Sequence, residues 1–297
     1  MIDRISTLVE ENWHPDDPTT PSAVSVFRTD SKQTSAQGSS DYFLDSADAI
    51  HYFAEKDAVD GSGALLPNIS KLNAINKAGH GLHVVDPIFN KYSTSVKIRS
   101  LVHTLGWSNP VIPQSMYIFK QPKIGGEVTS HQDSTFLHTE PRQTCLGLWL
   151  ALHDATIENG CLWVRPGSHH EPLRRKFARN AEHFAGDESK PQMVFEDLEI
   201  GVAAAAPWEG ALPDNSWPPP CEGLFKAGFC PVECKAGDLV VFPGTLDHLS
   251  LPNYSTLPRH TFQLHLIDGP EAGIKWSDSN WLQYPPGNKF LQVGVEN

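Results

Sequence analysis

The chain has 297 residues, 39% hydrophobic and 20% charged, with a formal net charge of −12 at pH 7. That acidity disfavours a protein that tracks nucleic-acid phosphates, which would normally carry a basic stripe, and small-molecule or acyl substrates fit better. No uninterrupted apolar run approaches the roughly 18 residues that a membrane helix needs, so no membrane span is expected. The length suits one large β domain or two ordinary ones, and a single domain over 1–297 is the simpler expectation.

The N-terminal Met1-Ile2-Asp3-Arg4-Ile5-Ser6 reads into an acidic amphipathic helix and lacks the basic-then-apolar order of a secretory signal. Five scattered cysteines, Cys145, Cys161, Cys221, Cys230 and Cys234, suggest free thiols and no disulfide framework, and together these features point to the cytoplasm. Residues 12–40, rich in Pro, Ser, Thr, Asp and Gln, read as an extended surface loop. From 88 to 105 apolar residues recur at helical spacing before Gly106, so a helix is expected there.

Beyond Gly106 the period changes. Val111-Ile112 and Met116-Tyr117-Ile118-Phe119 look like strand, broken by Pro122 and Gly125-Gly126 before a further strand at 127–131. Short strand candidates follow at 145–152, 161–165, 229–234, 238–242 and 259–267, separated by Asn159-Gly160, Pro166-Gly167, Gly237-Asp238 and Pro243-Gly244. Many short strands with turn signals point to a mainly β protein of the jelly-roll kind with flanking helices. Segment 181–224, rich in Pro, Ala and acid, reads as a long loop that is either a lid or a tolerated insertion; the sequence leaves both open.

His131-Gln132-Asp133 carries the first chemistry, because residues i and i+2 of a strand share a face and can grip one ion. Such a triplet is weak evidence alone, since roughly one is expected by chance in a chain with this many histidines. The supporting residue is His248, downstream of the strand-like 238–242 and its Pro243-Gly244 turn. Two histidines and one carboxylate cap one face of an octahedral ion and leave three positions open, which suits iron(II), with manganese as an impostor. A zinc site from Cys230, Cys234 and Cys221 would lack its fourth ligand and the usual paired C-x-x-C elements.

The strand beginning at Arg259 alternates polar residues with mainly apolar ones, so its polar face looks into something wet. Arg259 could fork onto a carboxylate in a metal cavity or form a rim salt bridge, and the pattern supports the two equally. Arg174-Arg175-Lys176 with Arg179 could meet a phosphate or carboxylate near the site entrance, or be a solvated charge run. His169 and His170 read as turn and surface residues rather than ligands.

Taken together, several spaced motifs resemble the phytanoyl-CoA dioxygenase family. They are 114–122 (QSMYIFKQP), Gly125-Gly126-Glu127-Val128 with His131-Gln132-Asp133, Asn159-Gly160-Cys161-Leu162-Trp163, Pro166-Gly167-Ser168-His169 and Asn280-Trp281-Leu282-Gln283. The similarity spans about 39–285, interrupted by 181–224. It implies a double-stranded β-helix (jelly roll, cupin-like), iron(II) at His131, Asp133 and His248, 2-oxoglutarate as co-substrate and dioxygen as oxidant. It further implies that Arg259 and Ser250 hold the distal carboxylate of 2-oxoglutarate, with Lys97, Met116 and Trp149 lining its pocket. The implied reaction forms succinate while hydroxylating an acyl, lipid-like or small organic substrate, with a CoA thioester among the options. Two departures from the family pattern are a start inside what resembles the relatives' first helix, and Pro258, which removes a ladder donor beside Arg259.

Rival readings are a catalytically silent metal- or ligand-binding jelly roll, and a zinc hydrolase, which the lack of an H-E-x-x-H glutamate disfavours. Oligomeric state is not legible.

Overall fold

A computed structural model describes residues 1–15, 24–29, 40–60, 63–198 and 221–294. In chain order the strands are β1 (Ile50–Ala54), β2 (Ile75–His80), β3 (Pro110–Lys120), β4 (Val128–His131), β5 (Thr139–Glu140), β6 (Leu146–Ala151) and β7 (Leu162–Val164). They continue as β8 (Arg175–Arg179), β9 (Met193–Asp197), β10 (Cys230–Val232), β11 (Leu239–Pro243), β12 (His248–Ser250), β13 (Arg259–Asp268), β14 (Lys275–Trp276) and β15 (Leu291–Gln292). The larger sheet runs β1-β2-β3-β13-β6-β11 with β15 also on β3, and a smaller one runs β10-β7-β12-β4. All pairings within both are antiparallel. This is the expected jelly-roll arrangement of two facing antiparallel sheets.

Strand parity sets what each face does. On β13, Phe262, Leu264 and Leu266 belong to the core that Phe89, Ile98 and Val102 of the flanking helices complete. Arg259, Gln263 and His265, on the opposite parity, line the cavity between the sheets. Burying each of the large apolar side chains is worth about 1.5–3 kcal/mol, which fixes the register, because a one-residue slip would send Arg259 and His265 into the helices.

Two expectations need correction. The helix over 88–105 is two, Pro87–Ser93 and Val96–Thr104, because Ser95 starts a second helix by accepting from Ile98 N–H. The first has its own cap, Asp86, which accepts from Ile88 N–H at 2.9 Å. The strand-like run expected over 111–112 and 116–119 is found as β3, with Pro113 falling where the register between β3 and β13 shifts. The 181–224 segment is not all loop: Ala181–Phe184 is helical and β9 pairs with β8, while 199–220 lie outside the described residues. Within 12–40, Val26 bridges Ala54 in parallel, and 16–23 and 30–39 lie outside the described residues.

Candidate active site

The smaller sheet brings the two distant histidines together. β4 ends at His131, β12 begins at His248, and the antiparallel register makes them direct partners with ring centroids 4.2 Å apart. Asp133 does not continue β4 as the same-face strand reading expects; it opens a 3-10 turn, Asp133–Thr135. The turn still carries its Oδ1 to 3.4 Å from His131 Nε2 and 3.7 Å from His248 Nε2.

The histidines are oriented for an electrophile. His131 Nδ1 lies 2.8 Å from Thr129 O and His248 Nδ1 3.0 Å from Leu246 O. A carbonyl only accepts, so each Nδ1 carries the proton and each Nε2 presents its lone pair. One ligand atom from each of the three residues lies within 4.8 Å of the others, and this is the one such cluster of three or more His, Cys, Asp or Glu among the described residues. Burial works against charge on Asp133, yet His265, His248 and His131 hold its carboxyl well below the usual carboxylate range. Burial, with His131 beside it, pulls His248 down to about 4, so its ring is neutral at pH 7. A buried carboxylate and two imidazoles that both turn Nε2 toward it fit a divalent cation with positions left open. The cysteines form no such set; all five are free thiols.

The same residues border a cavity of about 150 Å³. Ser250, Trp149, Met116 and Arg259 line it, as the family resemblance implies. Arg259 is only 2% exposed, its guanidinium carbon 5.4 Å from the Trp149 ring centroid. Among the described residues its hydrogen bond is a long one, Nη1 to Thr261 Oγ1 at 3.4 Å, and Nε has no partner. Burial lowers its guanidinium to about 10, and it remains charged at neutral pH. The rim salt bridge is thereby excluded. Nearby Lys120 is already committed, donating to Gly126 O at 2.6 Å and Leu251 O at 2.8 Å.

Lys97 is the site residue the structure removes. It is exposed on the helix Val96–Thr104, whose Ile98 and Val102 face the core, so helical periodicity turns Lys97 to the outside. The cavity contains a different lysine, Lys77 on β2, whose Nζ lies 3.4 Å from the Phe27 ring centroid and 3.9 Å from Met116 Sδ. Ser46 Oγ donates to Phe43 O and accepts from His80 Nδ1 at 2.7 Å, which leaves His80 Nε2 to accept from Lys77 at 3.0 Å. Burial drives the Lys77 amine well below its ordinary range.

The basic run is largely absorbed into the structure. Arg174 is buried against Asp247, Arg179 donates to Asn280 O and Trp281 O, and Arg175 stacks 4.1 Å from the Phe195 centroid while bordering the cavity. Sequence reasoning also missed His265, Gln263 and Gln114, all cavity-lining. The signal for the first two was present in the polar parity of β13, which runs from Arg259 through Thr261 and Gln263 to His265.

With this geometry in hand, the chain can be compared with known proteins. Residues 14–261 match the family model described as Phytanoyl-CoA dioxygenase (PhyH). The chain is 41% identical over 259 residues to phytanoyl-CoA dioxygenase domain-containing protein 1 of Mus musculus, covering 87% of this chain and 78% of that protein. Among solved structures, the epimerase SnoN in complex with Fe3+, alpha ketoglutarate and nogalamycin RO aligns with a TM-score of 0.51 at 19% identity, over 74% of this chain and 79% of that one. EctD from S. alaskensis with bound Fe aligns with a TM-score of 0.46 at 20% identity, over 71% of this chain and 62% of that one, so this chain spans less than two thirds of its length. The chain belongs to the phytanoyl-CoA dioxygenase family and is a 2-oxoglutarate-dependent dioxygenase, the class for which two histidines and a carboxylate with open positions are diagnostic.

Proposed function

We propose that His131, Asp133 and His248 hold iron(II), that Arg259 and Ser250 receive the distal carboxylate of 2-oxoglutarate, and that the chain hydroxylates an acyl, lipid-like or small organic substrate. The observation that carries this reading is that a buried cation without a carboxylate partner among the described residues, Arg259, borders the same cavity as the His131-Asp133-His248 cluster. Iron(II) bound there would supply the open coordination positions and the redox chemistry of dioxygen activation. Arg259 would fork onto a carboxylate, Ser250 would add a hydroxyl donor, and Trp149 would stack beside the guanidinium. The cavity wall also carries Phe27, Phe43, Phe136, Phe177 and Trp281 among its polar residues, and this aromatic share suits the C–H-rich part of a substrate. Such a site would also exclude water from the reacting bond.

The test is succinate formation from 2-oxoglutarate by the purified chain, with and without iron(II) and oxygen, followed by a screen of fatty acyl, acyl-CoA and small organic compounds for stimulated turnover and an added hydroxyl group. Iron-dependent succinate supports the reading. Metal binding without any succinate across the screen would support the silent jelly roll instead.

We read the chain as one catalytic domain of a cytoplasmic protein. Five free thiols suit a reducing compartment, and no described helix is long and apolar enough to cross a membrane. Cell fractionation tests the compartment.

A further inference from the structure

We infer that His265, held by Gln114, is a positioning residue that fixes which oxygen of Asp133 faces the metal. The inference rests on the three-ligand reading above. β13 lies between β3 and β6, and its register sets His265 opposite Gln114 on one side and Gly147 on the other. Gln114 Nε2 lies 3.1 Å from His265 Nδ1, and His265 Nε2 lies 3.1 Å from Asp133 Oδ2.

The proton order follows from donor chemistry. An amide nitrogen can only donate, so His265 Nδ1 is an acceptor and the ring's N–H is on Nε2. That proton meets Asp133 Oδ2, which commits this oxygen and leaves Oδ1 toward the Nε2 atoms of His131 and His248, at 3.4 and 3.7 Å. A carboxylate's terminal torsion is broad and nearly two-fold, so without a partner on Oδ2 the two oxygens would exchange freely. Burial keeps water from substituting, since His265 is 4% exposed and Gln114 5%. The Gly147 side is closed as well: a Cβ there would sit 3.3 Å from Asp133 Oδ2 and 3.1 Å from the Phe242 ring. His265 faces the oxygen turned away from the other histidines and is thus not a fourth member of the ligand set.

The experiment uses the full chain with Co(II) as the probe, reading affinity and the visible absorption of the bound ion, with circular dichroism to verify folding. Removing an outer hydrogen-bond partner of a metal ligand typically costs 10- to 100-fold in metal affinity. His265→Ala should weaken Co(II) binding by roughly 10- to 100-fold and change the absorption envelope. His265→Gln, whose amide can still donate to Oδ2, should recover most of that loss. Gln114→Ala should shift affinity in the same direction by less. If His265→Ala does not fold, the other two variants carry the test. Unchanged Co(II) affinity and spectrum in the folded variants would overturn the inference, and so would a His265→Gln no better than a folded His265→Ala. If wild type and His131→Ala bind Co(II) alike, the three-ligand reading itself fails and this inference falls with it.

Discussion

Arg174 clamps Asp247 through both terminal nitrogens, at 2.9 and 3.1 Å, in the residue immediately before His248. Ser130 Oγ, one residue before His131, donates to the same carboxylate at 2.6 Å, and Arg165 reaches it at 3.2 Å. Asp247 therefore ties the two histidine-bearing strands together behind the His131-Asp133-His248 cluster, through groups that are themselves largely buried. Such a network is costly to leave half-made.

Arg174→Met tests that tie. Losing one partner of a buried ion pair costs about 3–5 kcal/mol, and with Arg165 still present the lower end, about 3 kcal/mol, is expected in urea melts at about pH 7. The sign with pH follows from the carboxyl. Burial opposes its charge, but Arg174, Ser130 and Arg165 together hold it below the usual value. A depressed carboxyl stabilises the fold above the unfolded value near 3.9, and that contribution is lost as pH falls through the native value. The difference between wild type and Arg174→Met should thus be largest at neutral pH and shrink on acidification. A difference that stays constant as pH falls from about 4 through the native value would contradict it.

The two lysines separate cleanly. Lys97→Ala, on the exposed helix face, should change stability by no more than about 0.5 kcal/mol and leave 2-oxoglutarate saturation alone. Lys77 is buried with its amine pushed well down. Between that lowered value and the unfolded value near 10.4 the unfolded chain holds the extra proton, so stability should rise with pH through this window. Lys77→Met should be more stable than wild type at about pH 7 and show a flatter pH dependence, read from urea melts at several pH values.

Much of the site was legible because strand chemistry is local. The alternation on β13 and the short strands with their turns give the jelly roll, and His131, Asp133 and His248 stand out as a hard ligand set near such turns. What was not legible depends on register and on through-space neighbours. Lys77 sits in Ile75-Asn76-Lys77-Ala78, where a lysine reads as solvated, and only the approach of Phe27, Phe53 and His80 shows it buried. His265 lies 132 positions from Asp133, and nothing in either local sequence announces the contact. Lys97 and Lys77 both stand outside any motif, and only the fold shows that Lys77 reaches the cavity while Lys97 is exposed.

Gly147→Ala addresses the same centre from the opposite side. A Cβ at 3.1 Å from two atoms of the Phe242 ring requires that ring to move, and Phe242 packs on His248 with centroids 4.8 Å apart. Overpacking of this kind costs about 1–3 kcal/mol. The thermal midpoint should fall accordingly, and Co(II) affinity should fall with it, because the displaced ring and the crowded Asp133 Oδ2 both bear on ligands. An unchanged midpoint would mean that the ring yields freely.

Arg259 offers the sharpest separation of roles. Its charge is buried, and among the described residues Nε has no partner and the acceptor it reaches is the Thr261 hydroxyl, so no described carboxylate offsets the cost of burying it. A charge-assisted hydrogen bond to a ligand carboxylate is worth about 1.5–3 kcal/mol, or roughly a 10- to 150-fold change in affinity. Arg259→Ala should raise the 2-oxoglutarate concentration for half-maximal succinate formation by that factor while Co(II) affinity in the absence of 2-oxoglutarate is unchanged, since no ligand atom is touched. Arg259→Lys should recover part of the loss, because an ammonium keeps the charge but not the two-pronged geometry. Because removing the arginine also removes an uncompensated buried cation, Arg259→Ala should not unfold the chain, and its urea midpoint should match or exceed that of wild type. A variant that saturates with 2-oxoglutarate as wild type does would show that the anchor lies elsewhere in the cavity.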